Sequence, residues 1–209
     1  MNKLAIIGAS GHGKVIADMA IRSGYEEIVF FDDNEEIHEC AGFPVVGTSG
    51  EVDIYPDCDV IVAIGNASIR EKIHKQVGED RLATLIHPQA AISRRVTIGK
   101  GTVVMAGAII NSDTNIGEGC IINTGASVDH DCNIGDFVHV SVGAHVAGTV
   151  IIGNGTWIGA GATVSNNIEI YGECMIGAGA VVVRNIRKKG TYIGVPAIEL
   201  HKEKKSCGY

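Results

Sequence analysis

From Ile86 to Val182 every sixth residue of this chain is Ile or Val, seventeen positions without a break, running through Ile92, Ile98, Val104 and Ile110 to Ile170, Ile176 and Val182. An amphipathic helix repeats at about 3.6 residues and a half-buried strand at two, so neither sustains this beat. A coil of short strands joined by tight turns does, and hexapeptide repeats mark β-helices. The fourth residue after each aliphatic position is nearly always small or β-branched, as at Ala90, Thr102, Ala126, Thr156 and Ala180. Ile-Gly pairs at Ile98-Gly99, Ile116-Gly117, Ile134-Gly135 and Ile152-Gly153 recur 18 residues apart, so three hexads make one coil with three flat faces. The hexads then stack into a prism about 27 Å long at the usual strand spacing. Composition fits: 28 glycines suit repeated turns, and with 1 Trp, 5 Tyr and 4 Phe the core must be filled by Ile, Val, Leu and Ala. Cys120, Cys132 and Cys174 fall at the small inward position and read as core fillers. The register never breaks, so functional residues in this half sit on the coils themselves.

The chain divides into an α/β part over residues 1–82, the coil over 83–200 and a tail over 201–209. In the first part, residues 4–7 read as a buried strand, Gly8-Ala9-Ser10-Gly11-His12-Gly13 as a Gly-rich turn, and 14–23 as a helix. Residues 28–31 form a second strand ending at Asp32-Asp33. Residues 60–64 form a third, with Gly65-Asn66 at its end and a helix over 67–77. Residues 82–85 read as a last strand, leading through His87-Pro88 into the first coil. Strand, Gly-rich turn, helix, strand and acidic residue is Rossmann-like logic: N–H groups at a helix start take a phosphate, and a carboxylate takes sugar or base hydroxyls. The candidate substrate residues are therefore Ser10, Gly11, His12, Asp32, Asp33, Gly65 and Asn66. The glycine spacing is G-x-x-G-x-G, not the dinucleotide G-x-G-x-x-G, and a merely tight turn leaves the same letters. With so few strands, a nucleotide-activated sugar fits better than NAD. His12 either binds that ligand or caps the helix, while His38, His74 and His201 read as surface residues.

Seventeen basic and 24 acidic side chains give a formal charge of −7, which argues against nucleic acid or an anionic membrane as the main partner. No apolar run approaches the roughly 18 residues that span a bilayer, and residues 4–7 are too few for a signal peptide. The six cysteines form no CxxC pair and no metal-type spacing. Reduced thiols, a cytoplasmic location and no metal are expected.

GASGHGK near the start, FDD after the second strand, IGN after the third, LIHP at the junction and VDHDC-x-IG-x-F-x-H in the coil occur together. With them the chain, from residue 3 to about 200, resembles the hexapeptide-repeat sialic acid O-acetyltransferases and nucleotide-sugar N-acetyltransferases, above all the bacillosamine type. The resemblance implies a left-handed parallel β-helix, acetyl-CoA as co-substrate, and a homotrimer with sites between prisms. It places the catalytic base at His130, with Asp131 as its acid, and a second histidine, His139, orienting substrate or coenzyme. Bacillosamine-type enzymes often carry Glu at the position of Asp131 and perosamine-type relatives Asp, so the sugar stays open. Coenzyme contacts are implied at His139, Gly148, Ala160, Ala178, Gly194 and Pro196. The basic run Arg184, Arg187, Lys188 and Lys189 is a candidate for the coenzyme's 3′-phosphate. The 18-residue stacking separately predicts columns Ser112–His130–Gly148 and His139–Trp157, with Gly148 leaving room beside the base.

The expected reaction is attack of a neutral sugar amine, that of a UDP-linked 4-amino-4,6-dideoxy sugar, on the thioester of acetyl-CoA. His130 takes the proton and no acyl-enzyme forms. The rivals are a sugar O-acetyltransferase and a non-catalytic sugar-nucleotide-binding β-helix.

Overall fold

A computed structural model describes residues 2–200; the tail 201–209, with His201, lies outside the described residues. The first part runs β1 (Lys3–Ile7), α1 (Gly11–Arg22), β2 (Glu27–Phe31), β3 (Glu39–Cys40), β4 (Phe43–Gly47), β5 (Asp59–Val62) and α2 (Ala67–Val77). These strands make one sheet in the order β3-β4-β2-β1-β5, parallel except for the β3–β4 hairpin. Strand β1 lies inside it and is covered on both faces. Leu4 and Ile6 pack with α1, whereas Ala5 and Ile7 pack with Ile73 of α2. Such double coverage is why residues 4–7 are uniformly apolar.

Two local expectations are corrected. Helix α1 starts at Gly11, so Gly11, His12 and Gly13 form its first turn rather than a loop before it. Gly13 is obligatory there: a β-carbon would lie 2.2 Å from the Gly8 carbonyl oxygen. Residues 82–85 are not a strand; Leu82 makes a lone bridge to Val60, and Leu85–Ile86 is already the first rung of the coil. The hairpin of β3 and β4 is an addition.

The coil is built of two-residue strands, one per hexad, from Leu85–Ile86 to Val181–Val182. Each pairs in parallel with the strand 18 residues away, giving three sheets. The second residue of each pair points inward, so the hexad aliphatics form one core from Val104 to Val182. Ile86 is the exception at 42% exposed, because its only strand neighbour is on one side and the coil is open beneath it. One residue per turn, every sixth from Gly101 to Gly179, adopts positive φ. Buried threonines stitch neighbouring coils; Thr114 Oγ1 donates to Asp129 O (2.6 Å) and accepts the Cys132 N–H (3.2 Å).

On the first face the outward column is Leu85, Val103, Ile121, His139, Trp157 and Met175. Its first three members are buried with Ile16 and Met19 of α1, so the α/β part sits on the lower coils of this face. At the far end, Thr191–Ile193 extends this face and turns back through Ile198–Glu199. No described helix is long and apolar enough to cross a membrane. The five described cysteines are unpaired and buried.

Candidate active site

His130 and Asp131 occupy the turn between the second and third faces. Asp129 Oδ1 accepts from the His130 N–H (2.8 Å) and from Asn111 Nδ2 (2.7 Å), fixing the entry to the turn. The Asp131 N–H donates to Ser112 O and the Thr149 N–H to His130 O, tying the turn to the coils on either side. Asp131 has φ 58°, in the left-handed region that glycine fills at most equivalent turns. Holding a side chain there costs roughly 1 kcal/mol, and at this corner the carboxylate Oδ2 lies 2.7 Å from His130 Nδ1. That hydrogen bond, helped by the charges of Asp129 and Asp131, raises the pKa of the imidazole above its ordinary value. Both side chains are 57% exposed. The ring rests on Gly148, the glycine that stacking placed beside it.

His139 stands outward on the first face with its ring 4.7 Å from that of Trp157. Asn123 Oδ1 accepts the Thr124 N–H (2.8 Å), which turns Asn123 Nδ2 toward His139 Nε2 (3.1 Å). Nε2 then accepts and the proton sits on Nδ1, which is buried and has no partner. Burial, reinforced by Arg70 and His12, pushes the pKa of His139 down to about 3. His12 is likewise pushed down to about 4 by burial and by Arg70, and its Nε2 is buried and unpartnered. Both rings are neutral near pH 7.

Beside His139, a cavity of about 430 Å³ opens between the coil and the loop after β5, with Gly65, Asn66, Phe137, His139 and Trp157 in its wall. Asn66 also caps α2, accepting the Ile69 N–H (3.1 Å), and Gly65 O accepts from Arg70 (2.9 Å). The other substrate candidates lie around the end of β2. Asp32 Oδ2 accepts the Ala9 N–H (2.7 Å), joining it to the turn that holds Ser10, Gly11 and His12, and Asp33 Oδ1 accepts the Ser49 N–H (2.9 Å). Ser10 is the N-cap residue of α1, yet its side chain makes no capping bond. A hollow of about 240 Å³ beside Asp32 is walled by Asn34, His38, Val45 and Thr48.

The coenzyme candidates are not on one edge. Gly148 shares the edge of His130, while Ala160 and Ala178 stack on the edge between the first and second faces. Gly194 O accepts the Val181 N–H (3.0 Å), and Pro196 follows in the terminal hairpin. Lys188 pairs with Glu199 (2.6 Å) and Lys189 with Glu173. His139 stands on the first face and His130 on the turn between the second and third, and the two share no hydrogen bond.

Reading His74 as a surface residue is corrected. It is 4% exposed, packed edge-on against Phe137 at 5.2 Å between ring centres. Arg70, one helical turn before it, was missed altogether. Both lie on the face of α2 that meets the coil, and a polar face gives no apolar periodicity to read. Asn123 and Ser141, which hold His139 and Trp157, were also missed, although their positions on the turns flanking that column follow from the 18-residue stacking.

A parallel sheet mounted on a hexapeptide prism, with a carboxylate-backed imidazole on one edge, defines a hexapeptide-repeat acyltransferase with an attached α/β part. Residues 3–77 match the PglD N-terminal domain family. The chain is 40% identical over 113 residues to UDP-N-acetylbacillosamine N-acetyltransferase of Bacillus subtilis (strain 168), a match covering 51% of this chain and about half (52%) of that relative. The acetyltransferase domain of PglB from Neisseria gonorrhoeae FA1090, solved with acetyl coenzyme A, superposes with a TM-score of 0.91 at 43% identity, covering 96% of this chain and 100% of that one. PerB from Caulobacter crescentus, solved with CoA and GDP-perosamine, gives 0.89 at 35% identity over 96% of this chain and 98% of that one. The chain belongs to the PglD-type family of hexapeptide-repeat sugar N-acetyltransferases, and its coil is a left-handed β-helix.

Proposed function

We propose that this chain transfers the acetyl group of acetyl-CoA to the amino group of a nucleotide-linked amino-deoxy sugar by direct attack. The neutral amine forms a bond to the thioester carbonyl carbon. His130 Nε2 takes the proton that the nitrogen sheds, and the carbon–sulfur bond breaks. The coenzyme leaves as a thiol, reprotonated from the imidazolium. Asp131 holds the proton on His130 Nδ1, leaving Nε2 as the base, and stabilises the imidazolium without being protonated itself. His139, with its free Nδ1–H, orients an acceptor oxygen of substrate or coenzyme. Ser10, Gly11, His12, Asp32, Asp33, Gly65 and Asn66 hold the sugar nucleotide at the carboxyl ends of the strands.

The observation that carries this reading is the 2.7 Å contact from His130 Nδ1 to Asp131 Oδ2 on an open edge of the prism. That edge differs from the one bearing Ala160 and Ala178 and from the face bearing His139. A base and a cavity on separate parts of one prism would form a single site if prisms packed side by side, and that separation supports a homotrimer with sites between subunits. The reaction belongs in the cytoplasm, where acetyl-CoA is supplied.

Incubation with acetyl-CoA and UDP-, GDP- and CMP-linked sugars tests the proposal. Release of coenzyme thiol with an amino sugar, and an N-acetyl product, is expected. Acetylation of hydroxyls alone would favour the O-acetyltransferase instead, and no thiol release with any sugar would favour the binding protein.

A further inference from the structure

Arg70 is 1% exposed, and its guanidinium meets no carboxylate among the described residues. Its partners are four main-chain carbonyls from three segments. Nε donates to Gly119 O (2.7 Å) and Nη2 to Phe137 O (2.7 Å), on successive coils. Nη1 donates to Ile64 O (2.7 Å) and Gly65 O (2.9 Å), in the loop after β5. Burying a cation without a counter-ion is expensive, and apolar packing fastens a helix to a coil at lower cost. What apolar packing lacks is direction: a planar fork sets the angle between two strands of backbone, which a Lys point charge does not.

We infer that Arg70 is a positioning residue that locks the Gly65–Asn66 loop against the coil and so sets where a sugar nucleotide meets His139. Gly65 and Phe137 both wall the 430 Å³ cavity, and Phe137 precedes His139 by two residues. One guanidinium therefore spans the loop and the coil at the cavity wall. Its charge also disfavours protonation of His12 and His139, whose burial already holds them neutral.

This inference rests on the proposed use of the 65–66 loop for the sugar nucleotide. Arg70→Met keeps much of the volume and removes the fork; Arg70→Lys keeps the charge and loses the geometry. In the full chain, each variant is expected to raise KM for the sugar nucleotide about tenfold or more and to lower kcat, with KM for acetyl-CoA within about twofold. Added guanidinium ion is expected to restore part of the loss in Arg70→Ala. Binding of UDP and GDP, measured by calorimetry, decides the matter without turnover: both variants weaken the nucleotide that the native chain binds. If the native chain binds a nucleotide yet acetylates no sugar, the acetyl-transfer reading fails while Arg70 is still tested. Folded Arg70→Lys with native affinity and native kinetics overturns the inference. So does loss of thermal stability with both KM values unchanged, or a native chain that binds neither nucleotide.

Discussion

The imidazole of His130 lies so close against Gly148 that a β-carbon there would be 2.7 Å from both its Cε1 and its Nε2. The glycine is a seat for the ring, one coil along from it, and any side chain would push the ring off its present position. Gly148 has no positive φ that would make Ala strained on its own account.

Gly148→Ala is therefore expected to lower kcat by about 10²-fold, the scale for misplacing a reacting group by roughly 1 Å. Its melting temperature should stay near that of the native chain, because the added methyl meets a half-exposed ring and not the packed core. Steady-state kinetics beside a thermal melt checks both halves.

The pH dependence follows from the pair. A base must be unprotonated, and the hydrogen bond to Asp131 raises the pKa of His130 above 6.5, so activity falls as pH drops through that raised value. Asp131→Asn removes the stabilising charge. The acid limb of kcat/KM should move to lower pH, and the plateau should fall because the carboxylate no longer fixes the tautomer. Asn tolerates left-handed backbone well, so the turn at φ 58° should survive. A pH–rate profile of the two proteins measures the shift.

Buried His74 makes a separate prediction about stability. Burial, with the Arg70 charge, pushes its folded pKa down to about 4 from 6.5, and neither ring nitrogen has a partner. Between those values the unfolded chain binds the extra proton, so the stability is fully present above about pH 6.5 and is lost as pH falls toward 4. The loss is on the order of 3 kcal/mol at pH 4 from this group. His74→Leu should flatten the dependence by that amount in urea melts at pH 7 and pH 4. Equal slopes for the two proteins would contradict it.

The hexad aliphatics reported the prism directly, because a six-residue beat has few structural solutions, and the 18-residue step placed His130 on Gly148 and His139 on Trp157. Other elements left weaker traces. The β3–β4 hairpin turns on Ala41-Gly42, both at positive φ (54° and 82°), and Ala at such a position carries none of the turn signal of Asn or Asp. Arg70 and His74 look like solvent residues because their partners are main-chain carbonyls and an aromatic edge, which a sequence does not display. The covered face was legible in principle: Leu85, Val103 and Ile121 are apolar at outward positions where most columns are small or polar.

Turnover of His130→Ala against the native chain, with acetyl-CoA and an amino-sugar nucleotide that the native chain acetylates, is the most direct measurement. Direct transfer with His130 as base predicts a fall of about 10² to 10⁴ in turnover, with affinity for coenzyme A nearly unchanged. Native turnover in His130→Ala would contradict it.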